Sequence, residues 1–132
     1  MTTQYGDTMI IPSNVKIIGT MNDVDRGVET IDFALRRRFI WIEVEASASE
    51  HLADKVGLKN NMQKLNEAVR KKLGSEYEIG GAYFKDETDK QKIWDNRIKP
   101  LLNEYLRGKK DKEAVLSAFE DAYNLKTPKS DE

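Results

Sequence analysis

Two clusters of side chains in the first third of the chain have the chemistry to act on a phosphoryl group. The first is Thr20-Met21-Asn22-Asp23-Val24-Asp25-Arg26, in which an amide, two carboxylates and a guanidinium follow an apolar run. An asparagine amide both donates and accepts, so at the end of a strand it can orient an attacking water or touch a terminal phosphate. The second is Arg36-Arg37-Arg38, directly before Phe39. A guanidinium is planar and permanently charged, and its fork bridges oxygens over which negative charge is spread. Positioning and charge neutralisation are the two services phosphoryl transfer asks of a protein. Each cluster also has a plainer explanation. Asn22, Asp23 and Asp25 suit a turn that caps a following helix, and arginines in a last helical turn offset the macrodipole by roughly a few tenths of a kcal/mol each.

Such groups act only if the elements around them hold them in place. Met9-Ile10-Ile11-Pro12 is a short apolar segment stopped by proline, and Ser13-Asn14 signals a turn. Val15, Ile17 and Ile18 predict a buried strand ending at Gly19-Thr20. Val28, Ile31 and Leu35 recur at helical spacing beside Ala34 and predict a helix over 28–38, with Asp32 and Arg36 one turn apart on its outer face. Residues 39–45 (FIWIEVE) predict a second strand. Strand, helix and strand in that order form a βαβ unit with a right-handed crossover. Ligands bind at the carboxyl ends of strands in open parallel sheets, which is where Asn22 falls.

After residues 46–49 the pattern becomes helical as far as about residue 124. Met62, Leu65, Val69 and Leu73 line one helix, stopped at Gly74. Trp94, Ile98, Leu101, Leu102 and Tyr105 line another, stopped at Gly108, with Pro100 as a kink or a restart. Val115, Ala118, Phe119 and Ala122 line a third. Between them, residues 78–84 (EIGGAYF) are apolar and aromatic without helical spacing. The fold class expected is an α/β piece over 1–46, an all-α piece over 47–126, and a disordered polar tail over 127–132.

Composition narrows the function classes. The 132 residues carry a formal net charge of -1 with 34% charged side chains, the balance of a globular protein without the basic excess of a dedicated nucleic-acid binder. The basic stretch from Arg107 to Lys112 is interleaved with acids. With no cysteine and with His51 the only histidine, disulfides, thiolate metal sites and histidine relays are excluded, and no metal site is expected within the chain. Apolar runs fall far short of the ~20 residues of a membrane helix, and the N-terminus lacks a signal-peptide pattern, so a cytoplasmic location is expected. No GxxxxGK(S/T) loop and no apolar strand ending in paired carboxylates is present. These 132 residues by themselves are therefore not expected to bind or hydrolyse a nucleotide.

In combination the motifs resemble a known family. TMNDVDR followed by ETIDFALRRRF, after IIPSNVKIIG, is similar to the AAA+ module of the NTPase subunit in McrBC-type modification-dependent restriction systems. That family is marked by MNxxDR after the fourth core strand and by ALRRRF leading to the fifth. Residues 94–108 (WDNRIKPLLNEYLRG) resemble its helical lid, and the likeness covers roughly residues 9–124. The resemblance implies the C-terminal part of an AAA+ P-loop core, namely sensor-1 strand, arginine-finger helix and last strand, followed by the lid. Asn22 would then be the sensor-1 residue, Asp25 and Arg26 would link the nucleotide site to the subunit interface, and Arg37 and Arg38 would be fingers reaching a neighbour's nucleotide. Arg36 would be tied to Asp32.

The resemblance further implies an intact protein that hydrolyses GTP or ATP with Mg2+. It would work as a homo-oligomeric ring, mostly hexameric, with an endonuclease subunit, and reach DNA through other domains. Gly80 and Gly81 fall where the lid contributes to the nucleotide site. The family pattern has a more polar residue, often histidine, after the first glycine, so the pair reads equally as a tight turn. In the family's sheet the strand bearing the phosphate loop lies between the two strands present here, and this chain is read as a piece of a longer protein. The alternative is a non-enzymatic docking module that supplies Arg37 and Arg38 in trans to a ring partner.

Overall fold

The computed structural model of the chain describes residues 6–22 and 33–127. Its α-helices among those residues are α1 (Phe33–Arg36), α2 (Glu50–Asp54), α3 (Lys59–Lys72), α4 (Lys90–Ile93), α5 (Lys99–Tyr105) and α6 (Lys112–Tyr123). Short 3₁₀ turns at Ala46–Ser49, Ser75–Tyr77 and Gly81–Phe84 join them. Every buried apolar side chain among the described residues lies between Ala53 and Tyr123. The apolar stripe of α3 is Met62, Leu65 and Val69, all fully buried, as the helical spacing predicts. It packs chiefly against α6.

The stripe of α6 differs from expectation by a small rotation. Val115, Phe119 and Tyr123 are buried at i, i+4 and i+8, whereas Ala118 is exposed. Tyr123 was outside the expected stripe because its ring is apolar and its hydroxyl polar. The fold satisfies both ends: the ring stacks on Trp94 with centroids 5.1 Å apart, and the hydroxyl donates to the Lys90 carbonyl at 2.8 Å. Burial pushes the Tyr123 hydroxyl well above its ordinary pKa, with the Asp89 carboxylate adding to the shift, so it stays a donor at any physiological pH. Phe84 completes the aromatic group, 6.4 Å from Tyr123. Trp94 is 1% exposed, and its Nε1 is the buried side-chain nitrogen without a hydrogen-bond partner among the described residues.

Pro100 neither stops nor restarts the helix, which runs unbroken from Lys90 to Tyr105. Trp94–Ile98 form a π-turn, in which the Lys99 N–H reaches back to the Trp94 carbonyl. Pro100 follows directly, and this wider turn ahead of it is how the helix accommodates a residue that lacks an N–H. At the start of α4, the Asp89 carboxylate accepts from the N–H groups of Gln91 and Lys92 at 3.0 and 3.2 Å.

Two helix ends use the same closure with different residues. After α2, the Leu58 N–H reaches the Ala53 carbonyl and the Gly57 N–H that of Asp54, with Gly57 at φ +74°. After α6, the Lys126 N–H reaches Asp121 and the Leu125 N–H reaches Ala122, with Leu125 at φ +59°. That position is left-handed and costs an L-side chain about 1–2 kcal/mol. Leu125 is 49% exposed, so its packing offsets little of this. Leu125→Gly is accordingly expected to stabilise the chain by about 0.5–1 kcal/mol in urea unfolding; a loss of stability would mean the Leu125 side chain contributes contacts that outweigh the backbone strain.

The expected βαβ unit is not formed among the described residues. Residues 15–20 and 39–45 form neither helix nor strand ladder, and of the helix expected over 28–38 the described part is α1 and the turn at 37–38 that ends it, since residues 28–32 lie outside the described residues. The turn at Ser13-Asn14 is present, closed by the Val15 N–H on the Pro12 carbonyl at 3.1 Å. A strand is completed only by hydrogen bonds to another strand. Ile18, Ile40 and Ile42 are 91%, 93% and 82% exposed, so among the described residues nothing covers these segments. Residues 128–132 of the expected tail lie outside the described residues. No helix among the described residues is long and apolar enough to cross a membrane.

Candidate functional site

Asn22 ends the first described segment and is exposed, while Asp25 and Arg26 lie outside the described residues. The arginine cluster closes α1: the Arg37 N–H reaches the Phe33 carbonyl at 3.2 Å and the Arg38 N–H that of Leu35 at 3.1 Å. Arg37 and Arg38 are exposed, and no ion pair among the described residues engages either of them. Arg36 is different. Its guanidinium lies over the Trp41 ring, 5.7 Å from the centroid, and its carbonyl accepts from Trp41 Nε1 at 2.9 Å. The expected partner, Asp32, lies outside the described residues. No hydrogen bond among the described residues joins Asn22 to Arg37 or Arg38.

The glycine pair sits in a structural joint. The Gly81 N–H donates to Ser49 Oγ at 2.8 Å, and that hydroxyl donates to the Ala46 carbonyl at 2.9 Å. A Cβ on Gly81 would stand 1.9 Å from the Ser49 carbonyl oxygen, so only glycine allows this approach. One turn earlier, Asn66 of α3 holds Ile79 by both amide functions: Oδ1 accepts from the Ile79 N–H at 2.6 Å and Nδ2 donates to its carbonyl at 2.8 Å. Past the loop, Arg97 Nη1 donates to the carbonyls of Tyr83 and Lys85 at 3.2 and 2.7 Å. The loop is thus pinned from three elements.

A groove of about 250 Å³ beside this joint is lined by Ser47, Glu50, Gln63, Asn66, Glu67, Arg70 and Glu78. Its one cation, Arg70, is hydrogen-bonded to Glu78, and that bond raises the guanidinium pKa further. The hydrogen bond from Lys71, with help from Lys64, holds the Glu67 carboxyl below the usual carboxylate range. Carboxylates dominate the groove, which therefore repels a phosphate. No group of three or more His, Cys, Asp or Glu side chains among the described residues is arranged to hold a metal ion. At the glycine pair, the Gly81 N–H is bonded to Ser49 Oγ. The groups whose chemistry fits a phosphoryl are Asn22, Arg37 and Arg38.

Acids meet the basic stretch beyond α5 at two places. Arg107 bonds Glu104, and Lys72 reaches Asp111 at 2.9 Å, a hydrogen bond that holds the Asp111 carboxyl below its usual range.

The described residues thus comprise a helical unit with its own core, preceded in the chain by an exposed amide and an exposed arginine cluster. Residues 57–114 match the family model described as the McrB alpha-helical lid domain. The Type IV methyl-directed restriction enzyme EcoKMcrB subunit of Escherichia coli (strain K12) is 35% identical over an alignment 119 residues long, which takes in 72% of this chain and 26% of that protein. The chain is McrB-like, related to the AAA+ subunits of Type IV restriction enzymes and carrying their helical lid. It spans about a quarter of the length of the curated relative it matches. No solved structure matches it.

Asn66, Ser49 and Arg97 went unremarked in the sequence reading. Asn66 alone carries a signal: it is a polar residue inside the apolar stripe of α3, between Leu65 and Val69. A polar side chain there is buried only if its hydrogen bonds are made.

Proposed function

We propose that this chain is the lid and part of the core of an AAA+ nucleoside triphosphatase in a modification-dependent restriction system. Arg37 and Arg38 neutralise charge on the γ-phosphoryl of a nucleotide held by a neighbouring subunit, and Asn22 positions the attacking water on its own subunit's nucleotide. The nucleotide, GTP or ATP with Mg2+, is gripped by polypeptide other than these residues. Asp25 and Arg26 link that site to the subunit interface in a homo-oligomeric, hexameric ring. The ring drives an endonuclease subunit on DNA in the cytoplasm, with DNA contacted through other domains. The observation that carries this reading is the match of residues 57–114 to the McrB lid, with two exposed arginines, in no ion pair among the described residues, ahead of it in the chain.

The test is nucleotide hydrolysis by the full protein containing this chain. Arg37→Ala and Asn22→Ala are each expected to lower turnover by about 10³-fold or more, the range an arginine finger contributes. Turnover near normal in both variants would return Asn22 to a helix cap and the arginines to macrodipole compensation. A docking role without hydrolysis has one observation in its favour, the self-contained core between Ala53 and Tyr123. Adding the chain to a ring that lacks its own arginine fingers then restores turnover only if the chain supplies Arg37 and Arg38 in trans.

A further inference from the structure

Arg36 and Trp41 meet twice. The indole N–H donates to the Arg36 carbonyl at 2.9 Å, and the Arg36 guanidinium covers the indole face at 5.7 Å from its centroid. Carbonyls at the end of a helix have no partner within it. Here one of them is capped by a side chain arriving from five residues downstream. The result is a closed turn whose two ends are locked together, with Arg37 and Arg38 exposed between them. The same contact sets Arg36 apart, since its guanidinium rests on the ring of Trp41. A long arginine side chain loses much freedom when it binds, and a fixed backbone beneath it reduces what remains to be ordered.

We infer that Trp41 is a positioning residue: it fixes the backbone from which Arg37 and Arg38 reach the phosphoryl group, and it sorts the three arginines into one structural and two functional members. The inference rests on the proposed role of Arg37 and Arg38. Trp41 is 50% exposed and lies outside the buried core, so its loss leaves the lid intact.

The experiment uses the full protein with Trp41→Ala and with Trp41→Phe, which keeps the aromatic face and removes the N–H. Two readouts are taken. Without nucleotide, limited trypsin cleavage after the arginine cluster is expected to quicken about fivefold in Trp41→Phe and more in Trp41→Ala, because the turn opens when its bond is lost. With nucleotide, kcat is expected to fall about 10- to 100-fold in Trp41→Ala, and less in Trp41→Phe, at unchanged KM and melting temperature, since only the reach to the transition state is disturbed. Unchanged trypsin cleavage in both variants, or a kcat within about twofold of normal in Trp41→Ala beside an inactive Arg37→Ala, overturns the positioning role and leaves the finger reading standing. A rise in KM, or a fall in melting temperature, that accompanies the fall in kcat overturns it as a merely structural effect. Normal turnover in Arg37→Ala itself removes the reading on which the inference rests.

Discussion

Gly81→Ala is expected to destabilise the chain by about 3 kcal/mol or more, while Gly80→Ala, its neighbour, changes stability by less than about 1 kcal/mol. The difference is geometric. A Cβ on Gly81 would stand 1.9 Å from the Ser49 carbonyl oxygen and 2.7 Å from its carbon, and backbone atoms cannot rotate out of the way as a side chain end does. Relief requires moving the loop off Ser49, which also breaks the 2.8 Å bond from the Gly81 N–H. A Cβ on Gly80 meets only Ser49 Oγ at 3.5 Å, an ordinary contact. In a domain of this size the loss corresponds to a drop in Tm of about 10 °C or more, readable by circular dichroism on the 132-residue chain. Equal melting of the two variants would show that the pair serves only as a flexible turn.

What was legible in the sequence, and what was not, follows from how far apart the determining residues lie. The helices α3, α5 and α6 were legible because large apolar side chains recur every three or four residues, and that period is a local property. Within α6 the stripe was misplaced toward Ala118 and Ala122, since alanine fits either face, while Tyr123 packs by its ring and bonds by its hydroxyl. The joint at residues 78–84 was legible as an irregular segment and no further. Its determinants, Ser49, Asn66 and Arg97, lie 32, 13 and 14 residues away from the groups they hold.

The two segments ahead of the helical unit make the same point in reverse. Residues 15–20 and 39–45 carry a strand-like pattern, yet a pattern specifies only which faces seek cover. Hydrogen-bonding neighbours decide whether a strand exists, and Ile18 and Ile40, more than nine-tenths exposed, show that none is provided among the described residues. The arginine cluster lies on this uncovered side of the chain. Its motif was legible because the residue types are unusual, and the resemblance already set Arg36 apart from Arg37 and Arg38; that Arg36 meets Trp41 was not legible, because a ring contact five residues downstream leaves no periodic signal.

Asn66 offers the second large effect, with a pH signature of its own. The side chain is 5% exposed and satisfies both polar groups of Ile79, itself fully buried. Asn66→Leu leaves that N–H and carbonyl unpaired and is expected to cost about 2–4 kcal/mol at every pH. Asn66→Asp keeps an acceptor for the Ile79 N–H but sets a carboxylate oxygen against the Ile79 carbonyl and buries a charge. At pH 7 its cost is expected to equal or exceed that of the leucine variant. Desolvation and the facing carbonyl both favour the protonated acid, so the aspartate at position 66 has a folded pKa above its unfolded value of about 3.9. The sign follows. The protonated acid regains a donor for the Ile79 carbonyl, and this stabilisation is complete below the unfolded pKa and lost as pH rises through the folded one. Urea unfolding of the two variants at pH 7 and near pH 4 should therefore show Asn66→Asp gaining on Asn66→Leu as the solution is acidified, with changes at other carboxylates common to both. A gap that stays constant with pH would mean that the amide of Asn66 does not hold the loop through the Ile79 carbonyl, and that the lid orders residues 78–81 by apolar packing of Ile79 and Phe84 alone.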